Sequence, residues 1–208
     1  AAIGGMYAQH IYLRGTDKGL GVNLGGTLAA QQTMELLTDG RLVVKGSVQS
    51  NGDLSAKTAD LDNQGSLQSN GDLTVQAAGI ENAAGAQIAS QQGASLSTPG
   101  ELNNAGLIDG VDVSVAANVV NNSGRLYGDR LAITAERVTN AEDAVIAARE
   151  HLDVQARGSI LNQRGAHILS AGDMALAADR IENRSARIEA LGDLDSAARS
   201  LLNANDHF

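Results

Sequence analysis

The chain has 208 residues, a formal net charge of −9, no Cys, no Trp, one Pro, three Tyr and one Phe. Without thiolates it holds neither a disulfide framework nor a Cys-rich zinc site, and 24 Asp and Glu against 15 Lys and Arg oppose the phosphate neutralisation that nucleic-acid binding requires. Aromatic residues make up 2% of the chain, so a core must be built from Ala, Val, Leu and Ile and must be narrow.

In chain order, Ala1 to Met6 lacks the basic and apolar regions of a secretory leader. This is expected of a cytoplasmic chain, or of one whose amino terminus is not the gene's own. No run of 18 apolar residues occurs, so no membrane-spanning helix is expected. Residues 1–25 read as an irregular first coil, with strands at Ile11-x-Leu13 and Val22-x-Leu24. From 26 to 208 a regular unit takes over, beginning with Leu28, Met34-x-Leu36 and Leu42-x-Val44.

The unit is marked by an Asn two positions after a branched apolar residue. It stands at Asn63, Asn82, Asn104, Asn122, Asn140, Asn162, Asn183 and Asn203, with Val44 in its place in the preceding unit. The period is about 20 residues, in the range of solenoid repeats. Upstream of each Asn lies an alternating run such as Leu73-x-Val75-x-Ala77, Leu152-x-Val154-x-Ala156 or Met174-x-Leu176-x-Ala178. Alternation with period two predicts strands with one buried face. A further apolar position precedes each run: Val48, Leu67, Ile88, Ile108, Leu126, Ile146, Ile168 and Ile188. Each unit is therefore expected to give three short strands, separated by turns such as Asn51-Gly52-Asp53, Asn70-Gly71-Asp72, Gly172-Asp173 and Gly192-Asp193.

Three strands and three turns in about 20 residues make one coil of a parallel β-helix, hydrogen-bonded to the coils above and below. The fold class expected is all-β, a solenoid of nine to ten coils. Nine regular coils at about 4.8 Å each make a rod of roughly 43 Å. Equivalent apolar residues then stack into columns, with Ala at the third inward position keeping the cross-section small. The Asn column is expected to form a structural ladder, because each amide carries both a donor and an acceptor for its neighbours. Spacing from 18 (Asn104 to Asn122) to 22 (Asn140 to Asn162) is left to the turns. Only five residues follow Asn203, and the uncapped end reads as that of a fragment of a longer rod.

The units Gly65-Ser-Leu-Gln-Ser-Asn-Gly-Asp-Leu-Thr-Val-Gln-Ala-Ala-Gly-Ile-Glu-Asn82 and Gly165-Ala-His-Ile-Leu-Ser-Ala-Gly-Asp-Met-Ala-Leu-Ala-Ala-Asp-Arg-Ile-Glu-Asn183 resemble the repeats of filamentous haemagglutinin-like exoproteins. That family includes two-partner secretion adhesins and the stalks of contact-dependent growth inhibition proteins. The opening Gly4-Gly-Met-Tyr-Ala-Gln-His-Ile-Tyr-Leu-Arg-Gly-Thr-Asp-Lys-Gly-Leu-Gly-Val22 resembles the stretch joining that family's secretion domain to its shaft. The resemblance implies a right-handed β-helix, secreted or held at the bacterial surface and exported by an outer-membrane transporter. The transporter would be engaged mainly through a region outside this chain. It also implies a host-cell or bacterial receptor, while growth-inhibition members carry a toxin at the carboxyl end and no toxin-like segment stands here.

No catalytic, cofactor or metal site is expected. His10, His151, His167 and His207 do not share a column, as a metal site in a solenoid would require; His151 falls in the column of Asp72 and Asp173, and His167 beside Ile168. Asp53 with Asp72, and Asp173 with Asp193, align in adjacent coils as the carboxylates of a β-helix lyase or hydrolase would, but their turn contexts read as turn caps. The Gly-Gly-x-Gly-x-Asp nonapeptide of a calcium β-roll is absent. Asn121-Asn122-Ser123 and Asn183-Arg184-Ser185 match a glycosylation sequon, with Asn122 and Asn183 read as ladder residues. Tyr127, Arg125 and Arg130 read as ordinary surface. The function expected is that of a non-enzymatic shaft segment of a secreted adhesin. The alternatives are a growth-inhibition stalk and a β-helix polysaccharide lyase or hydrolase.

Overall fold

A computed structural model describes residues 5–19 and 21–205. Gly4, at the start of the opening motif, and His207 lie outside the described residues. Among the described residues all regular structure is β and every pairing is parallel, with each strand bonded to its counterpart about one period away. The chain winds as a solenoid of about 10 turns, at residues 5–24, 27–44, 47–63, 66–82, 87–104, 107–122, 125–140, 145–162, 167–183 and 187–203, hereafter coils 1 to 10. Coil 4 shows the unit plainly, with Ser66–Ser69, Leu73–Gln76 and Gly79–Asn82 as its first, second and third strands.

The alternation read from the sequence is the alternation of burial. In Leu73–Gln76 the two apolar residues are buried while Thr74 and Gln76 face outward. Register then builds the columns: Leu67 pairs with Val48 and Ile88, and Leu102 with Ile80 and Val120. All of these inward side chains are at most 2% exposed. Each apolar side chain packs on near-identical neighbours above and below as well as across the lumen. Such stacking gives interior density without aromatic rings. In the same ladder Leu24 pairs with Val44 and Val44 with Asn63, so the first two coils carry an apolar residue where the later ones carry Asn.

The expectation of three separate short strands in every unit is corrected in six coils: the first two strands merge in coils 1 and 2 (Gly5–Gly15 and Thr27–Thr38), the last two in coils 9 and 10 (Asp173–Arg184 and Leu194–Ala204), and all three in coils 7 and 8. There the three merge into the continuous strands Arg125–Asn140 and Val145–Gln163. The bends survive as register shifts between Gly128 and Arg130 and between Ala135 and Arg137. Coil 1 pairs with coil 2 along Gly5–Gly15 and differs from the others in a longer second corner, between Gly15 and Val22.

Corner stacking also explains particular glycines. A Cβ on Gly65 would stand 2.2 Å from the Gly46 carbonyl oxygen, and one on Gly46 1.9 Å from that of Gly26. Successive corners therefore lie backbone on backbone. Gly25, by contrast, has open space where its Cβ would be. Gly65→Ala is expected to destabilise the protein by more than about 2 kcal/mol and Gly25→Ala by less than about 0.5 kcal/mol, both read from chemical denaturation. Leu102→Ala, which empties a fully buried position, is expected to lower stability by about 3 kcal/mol in the same assay.

Candidate functional site

The eight Asn singled out by sequence are brought into one line by the third strands. Asn63 Nδ2 donates to Asn82 Oδ1 at 2.8 Å, and the bond repeats from Asn82 to Asn104 (2.7 Å), Asn122 (2.8 Å), Asn140 (2.8 Å), Asn162 (2.9 Å), Asn183 (2.8 Å) and Asn203 (2.9 Å). From Asn63 to Asn162 the residues are at most 2% exposed. Asn183 is half-buried and Asn203 exposed. The seven amides from Asn63 to Asn183 point the same way along the axis, each donating towards the higher-numbered coil.

The second hydrogen on each Nδ2 reaches a main-chain carbonyl. Asn63 bonds Gln87 O (2.9 Å), Asn82 Leu107 O (3.1 Å), Asn104 Arg125 O (3.0 Å), Asn122 Val145 O (3.2 Å), Asn140 His167 O (2.9 Å) and Asn162 Arg187 O (2.8 Å). Each acceptor lies just past the third corner of the next coil. Each Asn from Asn63 to Asn162 thus grips both ends of its successor's corner, while Asn183 bonds Ala186 O of its own corner at 2.9 Å. At the start of the ladder the Asn63 oxygen takes the Gly65 N–H at 3.3 Å, so no amide is needed beneath it and Val44 can fill that place.

Two further polar columns went unread in the sequence. Ser50, Ser69, Ser90 and Ser170 are buried at the first corner, and Thr38, Thr58 and Thr98 at the second. Their hydroxyls satisfy corner carbonyls: Ser69 Oγ donates to Gly52 O at 2.6 Å, Ser90 Oγ to Gly71 O at 2.7 Å, and Thr98 Oγ1 to Ala78 O at 2.7 Å. The available signal was a Ser or Thr two positions after an inward apolar residue, the same offset that marks the Asn.

The aligned Asp residues are also occupied by the backbone. The Asp53 carboxylate accepts the Asp72 N–H at 2.9 Å, Asp72 the Gly93 N–H at 3.0 Å, and Asp173 the Asp193 N–H at 2.9 Å. They cap corners, as the sequence suggested, but the amide capped belongs to the next coil. His151 pairs in register with Asp173 and Arg130, while His167 lies in another column, beside Arg187. His10 bonds Thr33 Oγ1 at 2.8 Å. Among the described residues, no group of three or more His, Cys, Asp or Glu converges in a way that could hold a metal ion.

The sequon reading requires a correction. In Asn121-Asn122-Ser123 the acceptor position is Asn121, which is not in the ladder; it faces outward and donates to Asn103 Oδ1 at 2.8 Å. Tyr127 is half-buried, and Arg130 forks onto Asp112 at 2.6 and 2.8 Å while bonding Glu150 at 2.9 Å. That network ties coils 6 to 8 on the outside, and the Asp112 carboxylate holds the guanidinium firmly in its charged form. Glu182 is similarly gripped between Arg180 and Arg184, and the Arg180 bond holds its carboxyl below the usual glutamate range.

The outer surface of the described residues carries several shallow grooves. One of about 370 Å³ crosses the corners near Gly106, Gly124, Arg125 and Asp143; another of about 640 Å³ lies beside His167, Arg187 and Asn203. A third, of about 270 Å³, lies on a face carrying Asp60, Asp62, Glu81 and Glu101. No helix among the described residues is long and apolar enough to cross a membrane.

The haemagglutinin repeat family model matches residues 13–62 and 45–207. The chain belongs to the haemagglutinin repeat family. As a shaft segment of this filamentous haemagglutinin-like family, it is similar to the 16S rRNA endonuclease CdiA of Enterobacter cloacae, with 30% identity over 88% of this chain and 6% of that protein. It is also similar to the tRNA nuclease CdiA of Yersinia mollaretii (31% identity over 84% of this chain and 6% of that protein) and to the deoxyribonuclease CdiA of Dickeya dadantii (32%, 76% and 5%). The shaft segment therefore spans only a small part of the length of these relatives. No solved structure matches it.

Two outcomes are expected. Asn122→Ala strips partners from the buried amides of Asn104 and Asn140 and should lower stability by about 2–4 kcal/mol, whereas Asn203→Ala, at the exposed end, should change it by less than about 0.5 kcal/mol, both read by denaturation. Glu182 stabilises the fold above the unfolded glutamate value of about 4.3, and its contribution should fade as pH falls through the lower folded value. Carbon-detected NMR titration should show that low midpoint in the native chain and a rise towards the ordinary value in Arg180→Ala.

Proposed function

We propose that this segment is a non-enzymatic shaft that holds the recognition regions of a large secreted or cell-surface exoprotein away from the cell that bears it. The observation that supports the reading is the continuous buried core that runs from coil 1 to coil 9, closed from coil 3 onwards by the ladder. A stack of this kind adds a fixed rise per coil, and its stability is shared between neighbouring repeats. On this reading residues 1–25 join the shaft to a secretion region outside the chain, and an outer-membrane transporter is engaged through that region. Attachment would be to a host-cell or bacterial receptor.

A second reading, the stalk of a growth-inhibition protein, is favoured by the three CdiA relatives. Their names carry nuclease activities. In this chain the aligned carboxylates are bound to backbone amides, and no nuclease role is assigned to them. Both readings give the segment the same mechanical task and differ in what it carries.

Deleting residues 66–106 removes coils 4 and 5 in register, joining Gly65 to Leu107. The shortened chain is expected to fold with a single cooperative transition and to be shorter by about 10 Å, measured by small-angle scattering. Binding of both chains to epithelial and bacterial cells separates spacer from adhesive module. Equal binding by both, or none by either, fits a shaft. Saturable binding lost on deletion would overturn the spacer reading and place a receptor contact in coils 4 and 5.

A further inference from the structure

The third corner varies in length along the rod. Two residues separate Asn104 from Leu107 and Asn122 from Arg125, three separate Asn183 from Arg187, and four separate Asn82 from Gln87, Asn140 from Val145 and Asn162 from His167. The bonds that close these corners hardly change. Whether the corner has two, three or four residues, the preceding Asn meets the ladder oxygen at 2.7–2.9 Å and the carbonyl beyond the corner at 2.8–3.2 Å. The four-residue corners take up their extra chain as an outward turn, closed locally by Ala86 N–H to Ala83 O at 2.9 Å and Ala144 N–H to Ala141 O at 3.2 Å, with Gly85, Glu142 and Asp143 at positive φ.

We infer that the third corner is this shaft's insertion point, a position where extra chain is carried on the surface while the strands keep register, and that the amide ladder makes it so. Each Asn from Asn63 to Asn162 fixes the two feet of the next coil's corner, so the path between the feet is free to lengthen; loop closure over a few added residues is a weak function of length. The first corner is built differently. Ser69 Oγ bonds both Gly52 O and Asp72 O, and the Asp72 N–H is held by Asp53. There Ser69 Oγ ties the start of the corner to its end at Asp72 O, while Gly52 and Asp53 hold the middle of the path to the coil before, so lengthening the corner pulls these bonds apart. The inference concerns the rod itself and holds whichever partner it meets.

The test uses the full chain with six residues, Gly-Ser-Gly-Ser-Gly-Ser, inserted between Ser123 and Gly124 or between Asn70 and Gly71. The third-corner insertion is expected to shift Tm by less than 3 °C and the first-corner insertion by at least twice as much. Asn104→Ala removes the grip on the 122–125 corner; combined with the third-corner insertion, it should lower Tm by more than the two single changes summed. Should the double variant fail to fold, hydrogen exchange of the Arg125 and Leu126 amides in the insertion variant alone still decides, with native protection expected. Equal losses at the two corners, strict additivity with Asn104→Ala, or lost protection at Arg125 would each overturn the inference.

Discussion

Backbone hydrogen bonds in this solenoid run along the axis, from each coil to the coils before and after it. A peptide group on an inner turn has no other partner, and a buried polar group left unpaired costs about as much as a lost hydrogen bond. Each coil must therefore sit in register on its neighbour, residue over equivalent residue. From that requirement follow the pure columns of Leu, Ile and Val, and the glycines wherever corners lie backbone on backbone. The core is quasi-one-dimensional, and its cross-section is set by what four strand-sized side chains and an Ala or Thr can fill.

Corners are where a parallel coil is weakest, since the chain turns inward and exposes carbonyls to a dry interior. In part of its coils the molecule meets this with a polar side chain of its own kind at each corner, Ser at the first and Thr at the second, and from coil 3 onwards with Asn at the third. Ser and Thr each carry a single hydrogen, given to main-chain oxygens nearby. Asn donates twice and accepts once, so it can link coils to one another as well as close a turn. A chain of amides aligned in one direction polarises cooperatively in a low-dielectric interior, which suits a ladder that must hold over many coils. In coils 1 and 2 Leu24 and Val44 take the same position, and the first amide turns its oxygen onto its own corner.

The outside of the rod is under much weaker constraint. Outward side chains stack at the strand repeat but face water, so amides, hydroxyls and both signs of charge succeed one another. Ion pairs such as Arg130 with Asp112 and Glu150 fasten neighbouring coils, and exposed pairs of this kind contribute little each. A family built this way can change its surface and its length while the interior stays the same. This is consistent with relatives that share about 30% identity with this segment and far exceed it in length.

Much of this was legible in the sequence because a solenoid writes its core as a period. Leu-x-Val-x-Ala and Ile-x-Asn at intervals of about 20 residues identify strands, inward faces and coil count, and a buried Asn at a fixed place in every unit has few uses other than a ladder. The direction of the ladder, the carbonyl that each second hydrogen reaches, and the Asp carboxylates capping a neighbour's amide were decided by the stacked structure. Those partners lie about one period away, and their distances depend on how the corners turn. The Ser and Thr columns were missed because a hydroxyl beside a turn reads as surface until burial shows it facing the lumen. The merged strands of coils 7 and 8 were likewise settled in three dimensions. Whether a bend interrupts a strand depends on bonds to the coils on either side, and a period by itself carries no information about them.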